Sequence, residues 1–144
     1  MELSEHFSLD ELVHSDLAIR KGINNDPSAN IISNLGRLAQ LLEQVRKVVA
    51  KPIGINSGYR CPELNKAVGG QPNSQHMVGC AADIKVSGLT PDDLVKAIIN
   101  SDIQFDQLIR EFDSWVHISV TNNPQDTPRG QTLIIDKLGT RPYR

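Results

Sequence analysis

The sequence has no excess of basic charge, no long apolar run and very little cysteine, and each shortage removes a class of function. Lys and Arg number 15 against 17 Asp and Glu, which leaves a net charge of −2 and an isoelectric point near 6.0. Such a surface is not built to neutralise nucleic-acid phosphates or an anionic bilayer. No apolar stretch approaches the roughly 20 residues that a membrane span requires. The N-terminus, MELSEHFSLDELV, places acids where a secretory leader would carry a basic and then an apolar segment. Cytoplasmic synthesis without a signal peptide is therefore expected. The only cysteines are Cys61 and Cys80. One pair is no disulfide framework, and a reducing compartment favours two free thiols. A bridge formed after export, or a Cys80 thiolate acting as a metal ligand, are the lesser alternatives. Internal repeats and low-complexity segments are absent.

What is present is an ordinary globular composition, 39% hydrophobic and 22% charged over 144 residues, enough for one domain spanning 1–144 with a real core. Ser8-Leu9-Asp10-Glu11 has the form of a capping box and predicts a short helix over 8–14. His6 and His14 flank it with no ligand partner at suitable spacing, and read as surface residues. Ile31, Leu35, Leu38, Leu42, Val45 and Val49 step by four and three, with Leu41 and Val48 widening the stripe. That spacing predicts the main scaffold helix over 28–50, closed by Lys51-Pro52. Further expectations are a strand over 53–56, a helix over 62–68 opened by Pro62, a loop over 69–73 and a strand over 81–86. Thr90-Pro91-Asp92-Asp93 opens another helix, to about residue 100. Runs at 105–112 and 115–121 read as a hairpin turning at Asp113-Ser114, and 131–137 as one more strand beyond a polar loop. Helices first and a small, mostly antiparallel sheet last is an α+β order.

The stretch that carries chemistry runs from Ser57 to Asp83, SGYRCPELNKAVGGQPNSQHMVGCAAD. It holds Arg60, Asn65, Ser74, His76 and Asp83, and a second histidine follows in Trp115-Val116-His117. Two imidazoles and one carboxylate form the ligand set of a catalytic zinc, with a fourth position left to water. Such a metal lowers the pKa of its water to about 7. Gly79, Ala81 and Ala82 keep the chain between His76 and Asp83 small.

SGYR, NKAVGG, the string Ser74-x-His76-x-x-Gly79-x-Ala81-x-Asp83 and the late Trp-Val-His together resemble the M15 zinc peptidases. That family includes D-Ala-D-Ala carboxypeptidases, vancomycin-resistance dipeptidases and several phage endolysins. The resemblance runs from the first helix to the last strand and points to the short, single-domain members (subfamily A) found in phages and prophages. It implies a hedgehog/D-Ala-D-Ala-peptidase-like fold and makes His76, Asp83 and His117 the ligands of one zinc ion. Arg60 would face the substrate carboxylate or the oxyanion, and Ser74 would contact substrate unless it only caps a turn. Many members place an acid three residues before the last histidine, where this sequence has Ser114. The general base therefore falls to Glu111, with Asp113 as the alternative. Tyr59 and Trp115 either line the substrate groove or fill the core of an aromatic-poor chain.

The activity so implied is hydrolysis of peptidoglycan stem peptides beside a D-amino acid, as a carboxypeptidase or an endolysin-type endopeptidase. The expected enzyme is a monomer that binds no nucleic acid and reaches the cell wall by a phage-type release. A non-catalytic zinc module that binds cell wall or a phage structural protein is the rival from another class, motivated by the displaced acid.

Overall fold

The computed structural model describes residues 1–143. Its helices are α1 (Leu9–Val13), α2 (Asp16–Lys21), α3 (Ala29–Val49), α4 (Pro62–Ala67) and α5 (Pro91–Ile99). Six strands, β1 (Gly54–Ser57), β2 (Ala81–Lys85), β3 (Gln107–Glu111), β4 (Trp115–Ser119), β5 (Gln131–Asp136) and β6 (Gly139–Pro142), form one sheet. Its order is β1-β2-β4-β3-β5-β6, antiparallel throughout except where β5 runs parallel to β3. The architecture is the α+β arrangement expected.

Local chemistry explains where the helices begin. Ser8, Ser15, Ser28 and Thr90 each accept a hydrogen bond from an amide of the first turn that follows. At Thr90 the cap is reciprocal, because Asp93 accepts from the Thr90 amide, so two orphan donors are satisfied at once. α3 ends when Ala50 turns into the left-handed region, φ 55°, two residues before Pro52. Its stripe packs as its period requires: Leu35, Leu38, Leu41, Leu42 and Val45 are buried, while Ile31 and Val49 pack at the margin. Val48 is an exception and is exposed, since it lies beyond the edge of that face.

The two faces of the sheet do different work. Even-numbered residues, Ala82 and Ile84 on β2, Leu108 on β3, and Val116 and Ile118 on β4, join Leu38, Leu42, Leu94 and Ile98 of α3 and α5 in one apolar cluster. The odd-numbered residues of β3, β4 and β5 look the other way, into a cleft.

Three elements depart from expectation. Residues 16–21 form α2, β6 adds a sixth strand, and Gln75–Val78 forms a 3₁₀ turn between the expected loop and the strand that carries Asp83. Gly79 closes that turn at φ 76°, and a β-carbon there would lie 3.0 Å from Ile31. Its small size serves packing against α3 more than room beside a metal.

Candidate active site

Three segments bring the ligand candidates together. Asp83 on β2 and His117 on β4 are direct partners across the antiparallel ladder, so their side chains rise from the same face side by side. His76 arrives on the 3₁₀ turn, whose first amides are capped by Ser74; the Ser74 hydroxyl accepts from the His76 amide at 3.1 Å. All three residues are buried. One ligand atom from each lies within 4.8 Å of the others, and the two imidazole rings stand edge to face, 5.1 Å apart.

The donor atoms can be assigned from their partners. His76 Nδ1 donates to the Gly58 carbonyl at 2.7 Å. That bond fixes the tautomer and leaves the Nε2 lone pair free to coordinate. His76 Nε2 lies 3.3 Å from Asp83 Oδ1, and His117 Nδ1 lies 3.2 Å from the same oxygen. Charge-assisted hydrogen bonds are shorter, about 2.7–2.9 Å. The spacing matches instead the edge of a tetrahedron whose ligands stand about 2.0–2.1 Å from its centre, roughly 3.3 Å. Burial opposes the Asp83 charge, but the His117 and His76 rings that face it hold its carboxyl well below the usual range. The donor set, the tautomer and the spacing therefore fit a zinc ion.

Glu111 ends β3 directly across from Trp115, and its Oε1 lies 4.0 Å from His117 Nδ1. Its other oxygen accepts from Trp115 Nε1 at 3.0 Å. Burial, and then the charge of Asp83, raise its pKa above the ordinary glutamate value, against the pull of His117, Trp115 and Arg60. Asp113 is placed differently. It sits at the tip of the hairpin with its side chain 74% exposed and pairs with Arg110 at 3.1 Å, on the sheet face that carries α5. Asp113 lies within the three-residue turn in the left-handed region, φ 50°, so it does not share the face of Trp115 and His117 despite its odd number.

Arg60 lines the cleft. Burial lowers its pKa, while the charges of Asp83 and Glu111 act in the opposite sense. Its Nε is buried without a hydrogen-bond partner. Ser74 and Trp115 also border the cleft, which encloses about 1300 Å³. Tyr59 does not: it is buried in the core cluster, and its amide donates to the Leu12 carbonyl. Neither cysteine joins the cluster. Both are free; Cys80 is fully buried beside Arg37, and the Cys61 sulfur accepts from the Leu64 amide at the start of α4. His6 and His14 are exposed and pair with Glu43 and Asp16.

Several cleft residues had no sequence signal. Ile109, Leu133 and Ile135 make an apolar floor beside Glu111. Phe112 is 51% exposed at the rim, tilted against Trp115 at 6.2 Å, with φ at 54°. At the other end Arg129 grips the buried Asp106 through two nitrogens, at 3.0 and 2.7 Å, and Gln75 donates to the same carboxylate. Asn65 holds the loop after α4 by donating to the Gln71 carbonyl, and a β-carbon on Gly70 would fall 2.1 Å from its Oδ1. That close approach explains the Asn and the final Gly of NKAVGG.

The family described as Peptidase M15 matches residues 5–119, from the segment before α1 to the last residue of β4. No match to a curated protein was found.

Proposed function

From the chain's membership of the M15 peptidase family, whose members are zinc-dependent, we propose that it is a zinc peptidase of peptidoglycan stem peptides, cutting a bond next to a D-amino acid. The observation that carries this reading is the meeting of two imidazole nitrogens on one carboxylate oxygen, with an acid and an arginine on the same cleft wall.

Zinc held by His76 Nε2, Asp83 Oδ1 and His117 Nδ1 would supply a Lewis acid and a water of pKa about 7. The chain's own groups do the rest. Glu111 takes the proton of the attacking water on Oε1 and returns it to the departing amine. Trp115 holds the second Glu111 oxygen, so the free one stays turned toward the ligand cluster. Its raised pKa brings proton affinity closer to that of the groups it exchanges with. Arg60 offers a guanidinium to the substrate carboxylate or to the oxyanion. Ser74 and Trp115 border the substrate's path, and Ile109, Leu133 and Ile135 give that path an apolar floor.

The test is digestion of purified muropeptides by zinc-loaded protein beside a chelated control, with products identified by mass spectrometry. Chelator-sensitive loss of a terminal D-Ala identifies a carboxypeptidase, and a cut within the stem identifies an endopeptidase. Intact muropeptides from protein carrying one zinc per chain would refute the reading and leave a wall-binding module. His76→Ala should lose both zinc and turnover; full turnover in that variant would equally refute it.

A further inference from the structure

Asn25 stands 35 positions before Arg60 in the chain, in the segment between α2 and α3, and its side chain is fully engaged. Its Nδ2 donates to the Val13 carbonyl at 2.9 Å and to the Tyr59 carbonyl at 3.1 Å. Its Oδ1 accepts from the Cys61 amide at 2.7 Å. The Tyr59 carbonyl belongs to the peptide plane before the Arg60 α-carbon, and the Cys61 amide to the plane after it. One side chain thus grips both planes that flank Arg60.

We infer that Asn25 is a positioning residue for Arg60, setting the backbone from which the guanidinium reaches into the cleft. Peptide planes are rigid, so two soft dihedrals determine where a side chain departs; fixing both planes fixes both dihedrals. The Arg60 amide adds a third restraint by donating to the His76 carbonyl at 3.0 Å. Together these bonds tie the arginine's frame to the helical N-terminal region on one side and to a ligand-bearing turn on the other. The Arg60 Nε is itself buried without a hydrogen-bond partner, so it gives the side chain no anchor. A backbone rotation of roughly 15° would carry a group roughly 6 Å away through roughly 1.5 Å. Misplacements of about 1 Å arising far from the chemistry are enough to cost about 10²-fold in rate. His76 does not need Asn25: its turn is capped by Ser74, and its ring is fixed by the Gly58 carbonyl.

The inference rests on the role proposed for Arg60, and its test separates the two. In zinc-loaded protein, the Arg60 Nε–Hε signal is assigned through Arg60→Lys and its mobility followed by heteronuclear NMR. The parent should show an ordered Arg60 side chain. Asn25→Ala, and Asn25→Asp (which keeps an acceptor for Cys61 but turns a carboxylate oxygen, in place of the donors, toward the Val13 and Tyr59 carbonyls), should release Arg60 while the other arginines and the zinc content stay unchanged. An Arg60 signal already mobile in the parent, one unmoved in both variants, or release accompanied by loss of zinc would overturn the inference. On muropeptides, Asn25→Ala should lower kcat/KM about 10²-fold, and the double variant with Arg60→Ala should match Arg60→Ala alone within about a factor of two. Fully additive losses would also overturn it. Full activity in Arg60→Ala would instead count against the function proposed for that residue, and the NMR comparison would still decide whether Asn25 orders it.

Discussion

Replacing Glu111 by glutamine exchanges one ionisable oxygen for an amide nitrogen and leaves the side chain's length and volume nearly unchanged. The remaining oxygen can still accept from Trp115 Nε1, now 3.0 Å from Oε2. The ligand set does not include Glu111, whose nearer oxygen is 4.0 Å from His117 Nδ1, so zinc content should stay at one per chain. What disappears is the proton acceptor proposed for the reaction. Positioned general bases contribute about 10² to 10⁴ in rate, which at about 1.36 kcal/mol per decade is a barrier increase of roughly 2.7 to 5.4 kcal/mol. Folding should not suffer. A carboxyl whose folded pKa lies above its unfolded value opposes folding once pH exceeds the unfolded value, and Glu111 is such a group. The neutral amide removes that cost, so metal-free Glu111→Gln should melt at or slightly above the parent temperature at pH 7. The assay pairs muropeptide turnover with zinc analysis and calorimetry. Asp113→Asn serves as the control, because that side chain points away from the cleft and should keep near-parent turnover. Turnover in Glu111→Gln within about tenfold of the parent, or a comparable loss in Asp113→Asn, would refute the assignment.

Other perturbations test the frame around the site. A β-carbon on Gly58 would lie 2.2 Å from the Leu12 carbonyl oxygen, so Gly58→Ala should cost about 1–3 kcal/mol of stability in urea titration. It should also displace the carbonyl that holds His76 Nδ1 and weaken zinc binding by about 10- to 100-fold, measured by competition with a chelating dye. On the far face of the sheet, the Tyr143 hydroxyl, with Lys96 and Arg110, holds the Asp92 carboxyl down at about 2. A depressed carboxyl stabilises the fold above its unfolded value, near 3.9, and that support drains away as pH falls toward 2. Tyr143→Phe should therefore flatten the loss of stability between those two pH values, followed by urea midpoints, while leaving turnover unaffected.

Much of this arrangement could be read in the sequence because its signals are local. α3 announces itself through a stripe unbroken from Ile31 to Val49, and α5 through Thr90, Pro91 and Asp93. His76, Asp83 and His117, whose ligand atoms lie within 4.8 Å of one another, could be singled out together because the first two fall in one short string and the third in the compact Trp-Val-His. α2 was invisible for the opposite reason: six residues make fewer than two turns, too few to show a period, and only its Ser15 and Gly22 caps mark it. β6 is exposed, four residues long, and bounded by glycine and proline, so neither alternation nor composition reveals it. The parallel pairing of β5 with β3 joins segments 24 residues apart, and strand order is not a local property. Tyr59 is buried in the core, a choice between groove and core that composition does not make. Asn25 acts entirely through contacts made at a distance in the chain, which spacing cannot foretell.

The order of the strands has an evolutionary consequence. Asp83 and His117 are paired on β2 and β4, whereas Leu133 and Ile135 lie on β5, on the far side of β3. Two strand spacings, about 9.6 Å, separate His117 from Leu133 across the face. A larger or smaller residue at 133 would reshape the cleft floor without disturbing the ladder that sets Asp83 against His117. Substitutions at 133 can therefore reshape the cleft floor over evolutionary time while the Asp83–His117 pairing on the other side of β3 is inherited unchanged.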